Sequence, residues 1–462
     1  MLLHRNFRGA VLRYLFDITT SAHWGGAAVG ITRVEEGLAR RARQYLGKDL
    51  TFCVYDRYRN LFLSVGDATA TKFLDGKVQI KIAPPLPSTL SAVARRRVGE
   101  ARERLRRAVL ANTNVYHAVQ RVRGRSFSRE EVIRIRAREL EKFEGEDTLP
   151  AMEPISLDED TTVISGGLDW EHKDLRALWK LKQQYRFKYL PIVYDLIPIM
   201  FPHYLVPGYV ELLTDYFGEL YWLSDRVMCI SEATRREWLR YCDDLAGSPI
   251  PADVFPLGCD LRPPPNDGPP PELPSSLVGK RYALLVSTIE PRKNHRLLYD
   301  AWDECVRRKL IDAEKDRLVF VGRRGWAMDD FLREVSLNPA TRDTVVVLND
   351  VNDAQLELIY RNCAFVTFPS HYEGFGLPVA EALGHGKPCI SSDAGALPEI
   401  GGDLVLRLGV KDTAAWTRAI ARYLTSPDEL MAWSDRVAKE YRTITWDMAA
   451  NIFFTRVVEN AR

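Results

Sequence analysis

The chain has little that would mark it for a membrane, an oxidising compartment or a nucleic acid. Its seven cysteines (Cys53, Cys229, Cys242, Cys259, Cys305, Cys363 and Cys389) are scattered, odd in number and never spaced C-x-x-C. That argues against a disulfide framework, and no His/Cys cluster has zinc spacing. A reduced, cytoplasmic setting is expected, with cysteines serving as small hydrophobes. Long apolar runs are also missing. The most apolar stretch, residues 189–213, contains Asp195 and four prolines, whereas a membrane span needs about 20 uninterrupted apolar residues. The first residues carry Arg5, Arg8 and Arg13 between short apolar runs and do not have the form of a secretory signal. The formal net charge is only +2 over 462 residues, so the whole chain gives no electrostatic case for a nucleic-acid partner.

What is present is the composition of a globular enzyme, 46% hydrophobic and 27% charged, with length for two large domains. Short β-branched runs alternate with helical patterns. Strands are expected at 11–16, 51–55, 161–165, 189–194 and 226–230, and a helix at about 31–45 after a glycine-containing loop with Gly25, Gly26 and Gly30. Such βα alternation favours a parallel sheet covered on both faces. Residues 262–274 contain seven prolines and read as a linker. Alternation then restarts, with strands expected at 282–286, 318–321, 345–348, 364–368 and 388–391. The fold class is therefore α/β, with two Rossmann-like doubly wound domains at 1–257 and 258–444 and a closing helical segment at 445–462. One region departs from the pattern, a helical insertion at about 81–150. Between 95 and 142 there are fifteen Lys/Arg and six Glu, a local net charge of +9. It reads either as a solvated insertion or as a surface that docks on anionic lipid, at about 1 kcal/mol per basic residue near such a membrane. Nucleic acid fits less well, because aromatics for base stacking are not interleaved.

Two segments carry chemistry. Ser287-Thr288-Ile289-Glu290-Pro291-Arg292-Lys293-Asn294 lies where a strand ends and a helix begins, the edge at which doubly wound sheets bind ligands. Arg292 and Lys293 put two cations near a helix N-terminus, a natural seat for a diphosphate, although such a pair is also common on solvated surfaces. The second runs Phe368-Pro369-Ser370-His371-Tyr372-Glu373-Gly374-Phe375-Gly376-Leu377-Pro378-Val379-Ala380-Glu381. Its glycines let backbone approach a ligand, and Pro378 suits the first position of a helix. Glu373 and Glu381 straddle the turn. They could accept hydrogen bonds from sugar hydroxyls at one end and ribose hydroxyls at the other, or simply cap a glycine turn.

The run EGFGLPVAEAL resembles the E-x7-E signature of the retaining glycosyltransferases of family 4, which have the GT-B fold, and STIEPRKN is similar to their diphosphate-binding loop. Val321-Gly322-Arg323, Asn349-Asp350-Val351, Ile390-Ser391-Ser392-Asp393 and Leu397-Pro398-Glu399 follow in the family's order. The resemblance is close over 282–403. It is looser in the N-terminal half, where DITTSAHWGGAAVGITRVEEGLA is similar to the first loop and helix of a subgroup active on bacterial surface polysaccharides. Asp195-Leu196-Ile197-Pro198 is similar to that subgroup's "HDLIP" segment, but Tyr194 stands where many members have His.

The resemblance implies transfer of a sugar from a nucleotide diphosphate to a hydroxyl, with retention at the anomeric carbon. It makes Glu373, Arg292 and Lys293 the catalytic candidates. Donor binding would fall to Gly374, Phe375, Gly376, Leu377, Glu381, Ser287, Arg323, Asn349 and Gly30. Asp195 and His203 are acceptor-side candidates, His203 as a substitute for the missing histidine. Glu373 would hold the donor sugar, Glu381 the ribose, and the closing helix would return to the N-terminal domain. No cofactor or metal is expected; Asp158-Glu159-Asp160 offers only a superficial D-x-D. The implied partners are a nucleotide-sugar donor, GDP-mannose first, and a glycan or lipid-linked acceptor at the inner face of the cell membrane. UDP-glucose, UDP-N-acetylglucosamine and dTDP-rhamnose stay open. A sugar-nucleotide epimerase of the same fold, or an inactive glycan-binding scaffold, are the alternatives.

Overall fold

The computed structural model describes residues 12–25, 30–80, 82, 152–206, 208–260 and 271–461. The arginine-rich stretch 95–142, the rest of the expected insertion apart from Ile82, and most of the proline-rich segment lie outside the described residues.

The first sheet has seven strands: β1 (Arg13–Asp17), β2 (Leu50–Asp56), β3 (Leu61–Val65), β4 (Thr161–Ser165), β5 (Lys188–Val193), β6 (Val227–Cys229) and β7 (Ala252–Val254). Their order is β3-β2-β1-β4-β5-β6-β7. The second sheet has six: β8 (Arg281–Val286), β9 (Asp316–Val321), β10 (Val345–Leu348), β11 (Phe365–Phe368), β12 (Cys389–Ser392) and β13 (Val405–Leu408), in the order β10-β9-β8-β11-β12-β13. All pairings in the second sheet are parallel. The central strands are buried along nearly their whole length, as in TTVIS of β4 and FVTF of β11, because helices cover both faces. Each sheet reverses its winding direction at one point, between β1 and β4 and between β8 and β11. Ligands bind at such switch points, outside the carboxyl ends of the strands.

Three strands escape the expectation from sequence. β3 pairs antiparallel with β2, so the first sheet is not purely parallel. The hairpin between them turns at Asn60, which takes the left-handed φ of 53° that Asn tolerates better than most residues. β7 and β13 are edge strands, largely half-buried (iii and Biii), without the continuous apolar run of a central strand.

The closing helix, Trp446–Ala461, leaves the second sheet and packs on the first. Trp446, Phe453, Phe454 and Val457 join the core formed with Phe16, Leu38 and Phe52. The contact with the helix Ile31–Leu46 is close because Gly37 has no side chain: a Cβ there would lie 2.4 Å from the Trp446 ring. Gly258 makes room for the other side of the same residue, a Cβ there meeting Trp446 at 2.6 Å. Among the described residues no helix is long and apolar enough to cross a membrane.

Gly37→Ala should therefore destabilise the protein by about 1–3 kcal/mol through overpacking, although Ala ordinarily gains about 1 kcal/mol over Gly in a helix. Urea denaturation of the two proteins decides the sign, and a more stable variant would mean that the closing helix does not dock on Gly37.

Candidate functional site

The loop after β8 is shaped by the neighbouring strand. Ser287 N donates to Val321 O and Ile289 N to Arg323 O, both at 2.9 Å. The second bond needs Gly322, at φ 155°, since a Cβ there would lie 1.9 Å from Ser287 O. Pro291–Lys293 form one 3-10 turn, and Asn294, left-handed at φ 58°, starts the helix His295–Arg307. The Asn294 amide donates to Pro369 O at 3.2 Å and Val410 O at 3.0 Å, which ties this turn to the loop after β11.

Arg292 and Lys293 consequently point at one carboxylate. Arg292 Nη1 lies 3.0 Å from Glu373 Oε2, and Lys293 Nζ lies 2.6 Å from Glu373 Oε1. Arg292 also donates to Tyr372 O at 2.7 Å and to Glu290 Oε1 at 2.9 Å. The Ser370 hydroxyl donates to Glu373 as well. The side chains of Arg292, Lys293 and Glu373 are only 16%, 14% and 10% exposed. Burial alone would raise the Glu373 pKa, but Arg292 and then Lys293 outweigh it and hold the group at about 2, so it is a carboxylate at any physiological pH. Burial, with Arg292 adding to it, lowers the Lys293 pKa. Asp195 faces the same cluster across the cleft. Burial raises its pKa against the opposing pull of Arg292, and its Oδ1 accepts from Ile197 N at 3.0 Å.

The second carboxylate of the pair, Glu381, sits one turn into the helix Leu377–Gly384, where Pro378 is the second residue rather than the first. Its Oε2 accepts from the Tyr360 hydroxyl at 2.9 Å, and its Oε1 from Arg33 Nη1 of the N-terminal domain at 2.7 Å. Gly30, at φ 52°, precedes the helix that carries Arg33.

At Gly374 and Gly376, expected to let backbone approach a ligand, the space that a side chain would take is filled by protein. A Cβ on Gly374 would lie 2.2 Å from Tyr194 O and 2.8 Å from Asp195 Cβ of the opposite domain, and one on Gly376 would lie 2.5 Å from Leu397. Gly374 is thus small to let the domains meet. Phe375 and Leu377 pack against the cores of both domains. Ser287 turns its hydroxyl toward His295, 3.4 Å away. Arg323 and Asn349 are exposed just past the carboxyl ends of β9 and β10. His203 is exposed on a lip of rings with Tyr204, centroids 4.2 Å apart, and Tyr204 stacks on His371 at 5.4 Å. Tyr194, where the histidine is missing, is held by its hydroxyl to Gly166 O. The superficial D-x-D lies at the amino end of β4, where Asp158 pairs with Arg13 and accepts from Thr161 Oγ1 at 2.7 Å; this is the edge away from the cleft. Among the described residues no group of three or more His, Cys, Asp or Glu could hold a metal ion.

Several residues of the site were not singled out in the sequence, Arg33 and Glu399 standing there only within family-like segments. Arg33 and Tyr360 flank Glu381. Gly395 backs Glu373, since a Cβ there would meet Glu373 O at 2.3 Å. Glu399 caps the helix Glu232–Asp244 across the cleft, accepting from Glu232 N at 2.9 Å and Ala233 N at 2.7 Å. Ser231, the residue expected to cap that helix, does so by accepting from Thr234 N at 3.0 Å.

With this geometry in place, comparisons with known proteins bear on it directly. Residues 274–440 match the family described as Glycosyl transferases group 1. The chain carries a group 1 glycosyltransferase domain. It is 31% identical to O-antigen chain mannosyltransferase B of Escherichia coli over 174 residues, 37% of this chain and 44% of that protein. It is 27% identical to O-antigen chain mannosyltransferase RfbU of Salmonella typhimurium over 161 residues, 35% of this chain and 43% of the other. The matches thus span less than half the length of these relatives. Over 97% of the chain the fold is similar to that of Anabaena HepE, solved in complex with UDP and glucose (TM-score 0.57, 12% identity, 100% of that chain), and of sucrose-phosphate synthase from Thermosynechococcus elongatus (TM-score 0.56, 17% identity, 100% of that chain). The fold of the chain is GT-B, and its sequence resembles that of bacterial mannosyltransferases.

The domain contact beside the site includes a carboxyl group whose charge should depend on pH. Glu237 is buried, accepts from the Tyr372 hydroxyl and leaves its Oε2 without a hydrogen-bond partner. Burial, with Asp195 adding to it, pushes its pKa up to about 7. A carboxyl group whose pKa is raised on folding contributes stability below its unfolded value, near 4.5, and loses it as pH rises through 7. Glu237→Gln, which keeps the neutral form, should gain on the order of 2–3 kcal/mol over the wild type between pH 4.5 and pH 8. Denaturant titrations across that range measure the difference, and a pH-independent gap would mean that Glu237 stays ionised.

Proposed function

We propose that this protein is a retaining glycosyltransferase that moves a sugar, mannose from GDP-mannose in the first instance, to a hydroxyl of a glycan or lipid-linked acceptor in bacterial surface-polysaccharide assembly. The observation that carries the proposal is the convergence of Arg292 and Lys293, both half-buried, at the switch point of the C-terminal sheet. The names of the sequence relatives support mannose and O-antigen, and the matched segment lies in the domain that would bind the donor.

The chemistry follows from charge. Breaking the bond between the anomeric carbon and the diphosphate oxygen sends the electron pair to the diphosphate and leaves a cationic, oxocarbenium-like sugar. Arg292 and Lys293 stabilise the departing diphosphate, a term worth roughly 3–4 kcal/mol per well-placed donor. The Glu373 carboxylate, kept anionic by the same two cations, favours the sugar cation and holds its hydroxyls. The acceptor oxygen attacks from the face the diphosphate has left, and its proton passes to a diphosphate oxygen, so configuration is retained without a protein nucleophile. Glu381 binds the ribose. Asp195 lies on the acceptor side of the same cluster. The proposal assigns no step to a metal, because the two cations supply the needed charge. The arginine-rich segment 95–142 would face an anionic lipid surface where the acceptor is presented.

Arg292→Ala and Lys293→Ala should each reduce sugar transfer at saturating donor by roughly 10²-fold or more, measured with GDP-mannose and the other candidate nucleotide sugars on folded protein. Near-normal turnover in both variants would remove the diphosphate role.

A further inference from the structure

The proposed reading places the ribose on Glu381 and leaves the N-terminal domain with the acceptor. One contact does not fit that division of labour. Arg33, in the first turn of the helix Ile31–Leu46, reaches across the cleft and puts Nη1 2.7 Å from Glu381 Oε1. The pair is well shielded, with side chains 20% and 4% exposed. The other oxygen of Glu381 accepts from Tyr360 at 2.9 Å. A carboxylate offers about four lone-pair sites, two on each oxygen. Arg33 and Tyr360 take one on each, and one on each remains for a vicinal pair of hydroxyls. Arg33 comes from one domain and Tyr360 from the other, so the carboxylate is fixed in this orientation only when the cleft is closed.

We propose that Arg33 is a positioning residue for nucleotide recognition: it orients Glu381 toward the ribose 2′- and 3′-hydroxyls and so links nucleotide binding to closure of the two domains. The inference rests on the ribose role of Glu381. It extends the donor site to a side chain of the domain otherwise assigned to the acceptor. A charge-assisted hydrogen bond in a shielded place is strong enough to matter, since such bonds contribute more than neutral ones.

Calorimetric titration of the full chain with GDP and UDP, and with their 2′-deoxy forms, tests it. Wild type is expected to bind the preferred ribonucleotide about tenfold or more tightly than its deoxy form. Arg33→Ala should weaken ribonucleotide binding about tenfold and deoxynucleotide binding little, so the discrimination collapses. Arg33→Lys should restore most of it, because the arginine uses a single nitrogen in the contact. Glu381→Gln should collapse the discrimination too, and adding Arg33→Ala to it should have little further effect. Should Arg33→Ala not fold, Arg33→Gln gives the same comparison without the charge. Equal losses for both sugars in the Arg33 variants would mean a merely structural contact and overturn the proposal. If Glu381→Gln keeps the discrimination, the ribose role of Glu381 fails, and the Arg33 inference fails with it. If Glu381→Gln loses the discrimination while Arg33→Ala keeps it, only the Arg33 inference fails.

Discussion

Moving two cations and a carboxylate out of water costs several kcal/mol per ion unless each finds its partner. Arg292, Lys293 and Glu373 meet that cost together, and much of the site serves the arrangement. Asn294 turns the chain so that the two basic residues face the loop after β11. Gly395 lets a second loop lie against the Glu373 backbone, and Gly374 lets Tyr194 of the other domain close over the cluster. Ser370 takes up a further lone pair of Glu373. Removing Glu373 would take from Lys293 its ion-pair partner among the described residues and leave Arg292 with Glu290 alone.

The contact between the domains is largely polar beside the site. Arg33 meets Glu381, Glu399 caps the helix Glu232–Asp244, Tyr372 meets Glu237, and Trp326 Nε1 donates to Tyr204 O at 3.2 Å. Polar interfaces of this kind allow relative domain motion, whereas large apolar ones resist it. Phe375 and Leu377 add apolar contact, reaching both cores from the glycine turn itself, and the ring pairs Phe201–Tyr372 and Tyr204–His371 add more. The two chain crossings run side by side, with Cys259 N donating to Ile444 O at 2.9 Å and Trp446 N to Asp260 Oδ1 at 2.7 Å. That pairing makes one hinge of two segments, and Trp446 anchors it in the N-terminal core.

The central strands were legible from sequence because strands buried on both faces need uninterrupted apolar runs, and 161–165 matches β4 to the residue. The edge strands β3, β7 and β13 were not, since they lack that run, whereas the fourth edge strand, β10, keeps it in VVVL and was. Arg292, Lys293, Glu373 and Glu381 were legible because their loops follow strand ends, where a doubly wound sheet binds ligands. Arg33 was not legible as a partner of Glu381: it stands 348 positions away, and the family-like segment 17–39 that contains it gives it no role. Gly374 signalled a close approach by its type, and on its Cα side the neighbour is Tyr194 of the other domain, which the sequence does not name.

The central claim is that the paired cations form a diphosphate seat at the switch point of the second sheet. A crystal structure with a bound nucleoside diphosphate, GDP or UDP, tests it most directly. The account predicts diphosphate oxygens within hydrogen-bond distance of both Arg292 and Lys293, with the ribose on Glu381. A diphosphate bound elsewhere, with both cations still directed only at Glu373 and Glu290, would contradict it.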